Sequence, residues 1–242
     1  MQLSSATTLS VIVPLGAHDQ SWRSLCSSLL FLPEGSEVLF VRPHPPCMDE
    51  DGSLALLKKK YRVQWIVGEA GRAQQMNLGA RYARQRFLWF LHADSVFLPA
   101  AISCLLQSLE KAPAALHFFD LAYLPDGPVL STLNGKMANV RSRALGIPFG
   151  DQGFCLSQDI FWQLGAYDPS CPYGEDHVLI WKARLSGIPL RPVGAVLRTS
   201  ARKYKKHGWL KTSADHFFKT WKQALPFFIA EQKQKLERYF ER

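Results

Sequence analysis

The 242-residue sequence has no apolar run near the roughly 20 residues that a membrane-spanning helix needs, and it has no internal repeat. We therefore expect no transmembrane helix. The five cysteines are scattered and form no C-x-x-C pair, so a zinc site is not expected. Residues 1–8 include neither a basic region nor an apolar core, so no signal peptide is predicted. These absences favour a cytoplasmic protein with reduced thiols.

Acidic residues are scarce at the C-terminal end of the chain. Residues 198–242 contain 12 Lys and Arg but only 4 Asp and Glu, and the whole chain has a net charge of +9. Most of the positive charge therefore belongs to this basic segment. Such a segment can bind a nucleotide diphosphate or an anionic membrane surface, or it can be a solvated helix face. It contains no recognised nucleic-acid-binding motif, so we expect no nucleic-acid partner.

Hydrophobic patterning predicts strands that alternate with helices through the first half of the chain. The predicted strands are 9–14, 37–41, 63–67, 87–91, 116–123, 153–156 and 193–197. The predicted helices are 20–31, 73–86, 99–111, 158–164 and 176–186. Residues 42–52 are predicted to form a loop, and residues 132–145 to be helical or irregular. The segment from Leu210 is predicted to be mostly helical, with a break at Pro226.

This order of elements indicates an α/β fold with a mostly parallel central sheet and helices on both faces. We expect one domain over residues 1–209 and a helical, basic C-terminal extension over residues 210–242.

The first candidate site follows the apolar run Phe87–Leu91, which is typical of a strand buried on both faces. His92 and Asp94 come directly after it. Ligands of open α/β sheets bind at the carboxyl ends of such strands, and a carboxylate there suits Mg²⁺ or Mn²⁺ on a diphosphate. Alternatively, Asp94 only begins a turn before Pro99.

Two further segments contain groups suited to the same chemistry. Gly71-Arg72 opens a predicted helix, where free backbone N–H groups and a guanidinium would bind an anion. Glu175 and Asp176 begin another predicted helix, whose dipole keeps a carboxylate ionised and available as a general base. Each segment also has a purely structural alternative. Gly71-Arg72 could be an ordinary helix start with an exposed arginine, and Glu175 and Asp176 could serve only to stabilise the start of their helix.

Taken together, these segments resemble a family 2 glycosyltransferase of the GT-A (Rossmann-like) fold over residues 9–209. The similarity is greatest to a bacterial subgroup, the rSAM/selenodomain-associated transferases. The matching blocks, in chain order, are Gly71-Arg72-x-x-Gln75-Met76-Asn77-x-Gly79, Phe90-Leu91-His92-Ala93-Asp94, Gly150-Asp151-Gln152-Gly153, Glu175-Asp176, and Thr199-Ser200-x-Arg202 followed by His207-Gly208.

The resemblance implies a metal-dependent enzyme that transfers a hexosyl or related glycosyl group, with inversion, from a nucleotide-sugar donor to an unknown acceptor. It implies that Asp94, with His92 beside it, holds Mn²⁺ or Mg²⁺ on the donor. It also implies that Asp176, with Glu175 beside it, deprotonates the acceptor hydroxyl. The remaining implied roles are binding of the donor diphosphate by Gly71, Arg72, Asn77, Arg202 and His207, and an acceptor side at Asp151 and Gln152.

Two segments differ from the family's usual pattern and concern recognition of the nucleobase. The second strand leads into Arg42-Pro43-His44-Pro45-Pro46 instead of an acidic cluster, with acids only at residues 49–51. The first strand leads into residues 15–19 instead of an Asn-Glu pair, and Asp19 is the nearest acidic substitute. We therefore expect nucleobase recognition to be altered, displaced or lost.

Two questions stay open at this point: whether the chain is an active transferase, and what the aromatic residues of its tail contact. The chain could be a degenerate transferase that binds a nucleotide or sugar without turnover. The aromatic residues of the basic tail fit packing on the catalytic domain, a homodimer interface, or peripheral contact with the inner face of the membrane. The membrane alternative would make the acceptor a lipid-linked one.

Overall fold

The computed structural model describes residues 7–45, 52–207 and 209–240. Its seven strands, in chain order, are β1 (Leu9–Pro14), β2 (Glu37–Arg42), β3 (Arg62–Val67), β4 (Phe87–Phe90), β5 (Leu116–Tyr123), β6 (Cys155–Ser157) and β7 (Leu190–Thr199). The helices are α1 (Trp22–Leu29), α2 (Gly52–Lys60), α3 (Arg72–Tyr82), α4 (Pro99–Lys111), α5 (Ser131–Leu145), α6 (Gln158–Gln163), α7 (Glu175–Leu185), α8 (Arg202–His207) and α9 (Trp209–Phe240). A short 3₁₀ helix spans Gly150–Gln152.

The strands form one seven-stranded sheet in the order β3-β2-β1-β4-β6-β5-β7. Strands β1 to β4 are parallel to one another, and so are β5 and β7. Strand β6 runs antiparallel to both β4 and β5. The expected mostly parallel α/β sheet is therefore confirmed. The strand order reverses at β1. Strands β2 and β3 follow on one side of β1, and the chain then returns to place β4 on the other side. Such a switch point opens a crevice at the carboxyl ends of the strands.

Two hydrophobic cores cover the two faces of the sheet, because alternate residues of each strand point to opposite faces. In β1, Val11 and Val13 belong to one core, together with residues of α1, α2 and α4. Ile12 belongs to the other core, together with residues of α3, α6 and α7. All four residues of β4 are buried, as its continuous apolar run predicts. The sheet is therefore rigid beneath the loops that leave its carboxyl edge.

Helix α3 packs unusually close to the sheet at Gly79. A Cβ atom at this position would lie 2.5 Å from Ile12 Cγ2 and 3.2 Å from Val41 Cγ2, so no larger residue fits without displacing β1 or β2. Real Cβ contacts are longer, and overpacking of this kind costs about 1–3 kcal/mol. The glycine thus fixes α3, and with it the Gly71-Arg72 segment, against the ends of the strands.

Two predicted elements differ in extent from those of the structure. Residues 53–62 were assigned no element, yet α2 begins at Gly52 and ends at Lys60. Its apolar spacing is short, and only Leu54 and Leu57 are buried, so periodicity gives little signal. Helix α3 ends at Tyr82 rather than near residue 86, because Ala83 is extended and Glu37 accepts a hydrogen bond from the Arg84 amide.

The expected break at Pro226 was wrong, since α9 continues through this residue from Trp209 to Phe240. A proline inside a helix removes one hydrogen bond and costs about 3 kcal/mol or more. Contacts with α7 on both sides of the proline oppose that cost. Gln223 bonds His177, and Glu231 forms a two-pronged ion pair with Arg184 at 2.7 and 3.0 Å. No helix among residues 7–45, 52–207 and 209–240 is long and apolar enough to cross a membrane.

Candidate active site

A cleft of about 450 Å³ lies beyond the carboxyl ends of β1, β2 and β3. Its walls come from the three loops that leave these strands, which place Gly16, His44 and Glu69 around one space. Among the lining residues that the structure describes, Glu69 is the only carboxylate. The full lining consists of Leu15, Gly16, Ala17, Pro43, His44, Gly68, Glu69, Ala70, Gly71 and Gln75.

Gln75 holds two walls of this cleft together. Its side chain is buried, and its Nε2 donates to the carbonyls of Leu15 at 2.7 Å and Val41 at 3.0 Å. Gln75 therefore ties α3 to the end of β1 and to β2. Arg42 braces the same region by donating to the Ala17 carbonyl at 2.7 Å. A buried side chain that donates to two backbone carbonyls in this way keeps a loop rigid.

Asn77, expected at the donor diphosphate, is engaged by the protein's own backbone. Its Nδ2 donates to the Tyr167 carbonyl at 2.8 Å, and its Oδ1 accepts from the Tyr167 amide at 3.1 Å. This reciprocal pair ties α3 to the turn before α7. The geometry supports a bracing role for Asn77, one step away from the cleft.

Three of the sequence blocks meet at Arg72. Its Nε lies 3.0 Å from Oε1 of Glu175, and its Nη2 donates to Nε2 of His92. The imidazole nitrogen must be the acceptor, because a guanidinium only donates. The guanidinium remains 42% exposed, whereas Glu175 is largely buried. A half-exposed Arg72, oriented by two partners, can present its remaining N–H groups to an anion.

Asp176 lies at the N-terminal end of α7, as the sequence predicts. Its Oδ1 accepts from the His177 amide at 2.9 Å, and its Oδ2 accepts from the Gly150 amide. A Cβ at Gly150 would lie 2.8 Å from Asp176 Oδ2 and 3.1 Å from Arg72 Nη2. The absence of a side chain at position 150 therefore allows the carboxylate and the guanidinium to come together. The two backbone donors thus hold the carboxylate of Asp176 in place.

Asp94 follows β4 by four residues and faces the end of β7. Its Oδ1 accepts from the Thr199 hydroxyl at 3.0 Å, and its Oδ2 accepts from the Ser200 amide at 3.3 Å. Each carboxylate oxygen has a second lone pair, so both can still accept another partner. These contacts join the second and last blocks of the sequence pattern.

No cluster of three His, Cys, Asp or Glu able to hold a metal occurs among the residues that the structure describes. The residues present fit only a divalent cation that takes few ligands from the protein. Mg²⁺ and Mn²⁺ at phosphate sites are often held by one or two carboxylates, with substrate phosphates completing the shell. Asp94, partly exposed at a strand end, meets that requirement without help from a second carboxylate.

Asp126, which lies outside the sequence blocks described above, organises the loop that follows β7. It accepts from the Ser200 hydroxyl at 2.6 Å and the Ala201 amide at 2.8 Å, and it lies 3.7 Å from Arg202. Burial by itself raises the pKa of Asp126, but these hydrogen bonds outweigh it and lower the pKa. Arg202 is mostly exposed near Asp94, whereas the side chain of His207 is outside the described part of the chain.

The expected acceptor-side residues have different environments. Gln152 is fully buried: its Oε1 accepts from the Ser142 hydroxyl and the Phe149 amide, and its Nε2 donates to the Phe119 carbonyl at 2.8 Å. The geometry supports a scaffold role for Gln152 rather than contact with an acceptor. Asp151 is only partly buried.

Arg141, on α5, is a further functional candidate, and no sequence motif marks it. Its Nε donates to the Ile147 carbonyl at 2.9 Å, and its guanidinium lies 3.5 Å from the centre of the Phe149 ring. Burial lowers its pKa, while Asp151 and Asp176 oppose that change electrostatically. Asp151 and Asp176 thus both act electrostatically on this one arginine.

Behind Asp176, a chain of hydrogen bonds connects α7 to α9. Trp181 Nε1 donates to His177 Nε2 at 3.0 Å, and His177 Nδ1 lies 3.0 Å from Gln223 Oε1. Because Nε2 accepts, the proton of the neutral ring is on Nδ1 and is donated to Gln223. Burial lowers the pKa of His177, in agreement with a neutral ring. Gln223 also donates to the Tyr173 carbonyl at 3.0 Å.

Asp19, the suggested substitute for nucleobase recognition, forms a local turn instead. Its Oδ1 accepts from the amide of Ser21 at 2.9 Å and from the hydroxyl of the same residue. Asp19 is not among the residues that line the cleft. The acids at residues 49–51 are outside the described residues. The lining points instead to Glu69, which directly precedes the Gly71-Arg72 block.

Comparison with known proteins finds one family to which part of the chain is similar. Residues 49–165, a little under half of the chain, match the family Glycosyl transferase family 2. No curated protein sequence matches the chain significantly.

Solved structures of glycosyltransferases share the fold. A mannosyltransferase from Pyrobaculum calidifontis, in complex with GDP-Man and Mn²⁺, is 14% identical with a TM-score of 0.64, over 90% of this chain and 64% of its own. TarS from S. aureus is 14% identical with a TM-score of 0.60, over 80% of this chain and 37% of its own. TarS residues 1–349 in complex with UDP-GlcNAc gives a TM-score of 0.58 at 14% identity, over 80% of this chain and 58% of its own. The chain thus spans less than two thirds of each of these proteins.

Proposed function

We propose that this protein is a glycosyltransferase that moves a sugar from a nucleotide-sugar donor to an acceptor hydroxyl, with inversion at the anomeric carbon. The observation that supports it best is the meeting of Arg72, Glu175 and Asp176 beside the switch-point cleft. A guanidinium suited to a diphosphate and a carboxylate suited to a hydroxyl thus lie close together, as transfer of a sugar from a diphosphate to an acceptor requires.

The nucleoside would occupy the cleft at the ends of β1 to β3. Glu69 can accept hydrogen bonds from ribose hydroxyls, and His44 offers a ring to the base. The diphosphate would then lie over Gly71 and Arg72, where α3 begins with free backbone N–H groups. Arg202 would approach from the loop after β7, on the side of Asp94.

Asp94 would hold Mg²⁺ or Mn²⁺ on the diphosphate, and His92 would contribute by orienting Arg72. The cation, when bound, supplies charge that stabilises the departing nucleoside diphosphate. Arg72 adds to the same stabilisation from the protein side.

Asp176 would act as the general base. Its carboxylate takes the proton of the acceptor hydroxyl while the acceptor oxygen forms a bond to the anomeric carbon. The bond from that carbon to the diphosphate oxygen breaks on the opposite face, and the pair of electrons leaves with the nucleoside diphosphate. One displacement needs one base and no enzyme nucleophile, so Glu175 is free to orient Arg72.

A second candidate function is a binding protein that has lost turnover. It is favoured by the altered loops after β1 and β2, which lack the acids expected for nucleobase recognition. The two candidates share the donor site and differ only in whether the sugar is transferred.

The test is calorimetry of UDP and GDP, with and without Mn²⁺, on the wild type and on Asp94→Asn. The proposal requires binding of at least one nucleotide, tighter with Mn²⁺, and loss of the Mn²⁺ dependence in the variant. Asp159→Asn, an exposed acid on α6, is the matched control and should behave as the wild type. Identical binding with Mn²⁺ and with EDTA would remove the metal role. Donor binding with no hydrolysis or transfer of the sugar would select the binding protein.

A further inference from the structure

Helix α9 has two apolar faces. One of them packs on α7, and the other is exposed in the part of the chain that the structure describes. Ala224 is buried in a small core with Trp181, and Phe227 stacks on the same ring. On the opposite side, large apolar side chains are exposed to solvent. They are Phe218, Trp221, Leu225, Phe228, Ile229, Leu236 and Phe240, with exposures from 48 to 77%.

These exposed residues form one stripe rather than a scatter. With 3.6 residues per turn, they fall within about a third of the helix circumference, on the side away from Gln223 and Phe227, which contact α7. Isolated exposed apolar residues are ordinary, whereas a continuous apolar stripe along a surface helix marks an interaction site. Lys222 and Lys233 are exposed beside the stripe.

Helix α5 and the turn before it carry a second stripe of the same kind. Leu130, Leu133, Met137 and Val140 recur at helical spacing and are 47 to 60% exposed, and Val129 is 85% exposed. The helix contains three basic residues and no acid. Its end adjoins α9, because Arg184 bonds both the Gly146 carbonyl and Glu231.

We infer that the exposed stripes of α9 and α5 bind an anionic lipid membrane. Aromatic and aliphatic residues bordered by lysines are the composition of helices that lie in the interface of an anionic bilayer. A second copy of the chain suits this surface less well. Residues 198–242 have 12 basic and 4 acidic residues, and a symmetric dimer would set this charge against itself.

The location of the stripes indicates what the membrane would supply. Gln223 of α9 bonds His177, next to Asp176. Arg141 of α5 packs on the Phe149 ring, and the amide of the neighbouring Gly150 donates to Asp176. Both helices thus border the proposed base. The inference, which rests on the proposed function at this point, is that the acceptor hydroxyl belongs to a molecule anchored in the bilayer.

Co-sedimentation with vesicles tests the surface without using activity. The wild type is mixed with phosphatidylcholine vesicles, with and without phosphatidylglycerol, at low and at moderate salt. The test variant is Leu225→Gln/Phe228→Gln/Ile229→Gln. The matched control is Phe31→Gln/Leu56→Gln/Leu98→Gln, which alters equally exposed apolar residues outside both helices.

We expect the wild type and the control to bind phosphatidylglycerol vesicles, more weakly as salt rises. The test variant should bind about a thousandfold more weakly, since burial of each of the three large side chains contributes about tenfold or more. Circular dichroism and nucleotide calorimetry establish that the variant is folded.

Two results would overturn the inference: failure of the wild type to bind at low salt, and unchanged binding by the test variant. A dimer in analytical ultracentrifugation that the triple substitution dissociates, without vesicle binding, would assign the surface to a second copy. If the wild type does not bind nucleotides, the proposed function is refuted. Binding to vesicles would then still support the membrane-binding surface, but not the anchored acceptor.

Discussion

Arg72 and Glu175 form an ion pair, with 3.0 Å between Nε and Oε1, although they belong to helices far apart in the sequence. Glu175 is largely buried and Arg72 is half exposed. Ion pairs that are fully exposed contribute little to stability, but a pair with one buried partner orients the exposed one. The contact therefore fixes the guanidinium where the proposed diphosphate would lie, next to Asp176.

Replacement of Arg72 by Lys keeps the charge and removes the planar fork. A lysine cannot contact Glu175, His92 and a phosphate at once. We expect the affinity for a nucleoside diphosphate to fall by about tenfold or more, with little change in melting temperature. Calorimetry measures the affinity. The control is Arg81→Lys, an exposed arginine at the other end of α3, and equal affinities for the two variants would refute the role of Arg72.

Asp176→Asn should abolish transfer and preserve donor binding. The amide cannot take the acceptor proton, and loss of a general base lowers kcat by about 10²–10⁴-fold. The substitution retains an acceptor oxygen for the Gly150 or His177 amide, so the fold should survive. Turnover and donor affinity are measured together. If Glu175→Gln loses turnover and Asp176→Asn does not, the base is Glu175.

Glu69→Gln should weaken binding of nucleosides while leaving inorganic diphosphate unaffected. A neutral amide accepts less strongly from ribose hydroxyls than a carboxylate does, and the loss expected is about 1.5–3 kcal/mol. Competition calorimetry compares UDP and GDP with diphosphate. Glu110→Gln, an exposed acid on α4, is the control. An equal loss for diphosphate would place Glu69 elsewhere in the donor site.

Stability should decrease as the pH falls below 6.5. Burial holds the pKa values of His177 and His117 below the ordinary value of 6.5, so the unfolded chain binds these protons first. The stability that the neutral rings provide is complete above pH 6.5, and it is lost as the pH falls toward the folded-state pKa values.

Each ring contributes at most about 1.4 kcal/mol per pH unit over that interval. Urea denaturation between about pH 7.5 and 5 measures the slope. His177→Gln should reduce it, because Gln cannot take up a proton. A wild-type stability that is constant over this interval would contradict the assignment of neutral rings.

Much of the α/β architecture could be predicted from local patterns. The buried apolar run of β4 and the glycines that end helices are signals that need no tertiary information. The candidate blocks at Arg72, Asp94 and Asp176 were also visible, because unusual polar groups stood next to strand ends or helix starts. The elements that escaped prediction were those whose stability comes from contacts, such as the unbroken α9 around Pro226.

The sequence by itself determined which residues could do chemistry and the order of strands and helices that brings them to one edge of a sheet. Only the tertiary structure decided how those residues are used. It turned Asn77 and Gln152 inward as braces, since buried amides must find partners. It also brought Glu69 to the cleft and Arg141 near Asp176. Such pairings depend on distances between segments remote in the chain, which no local pattern records.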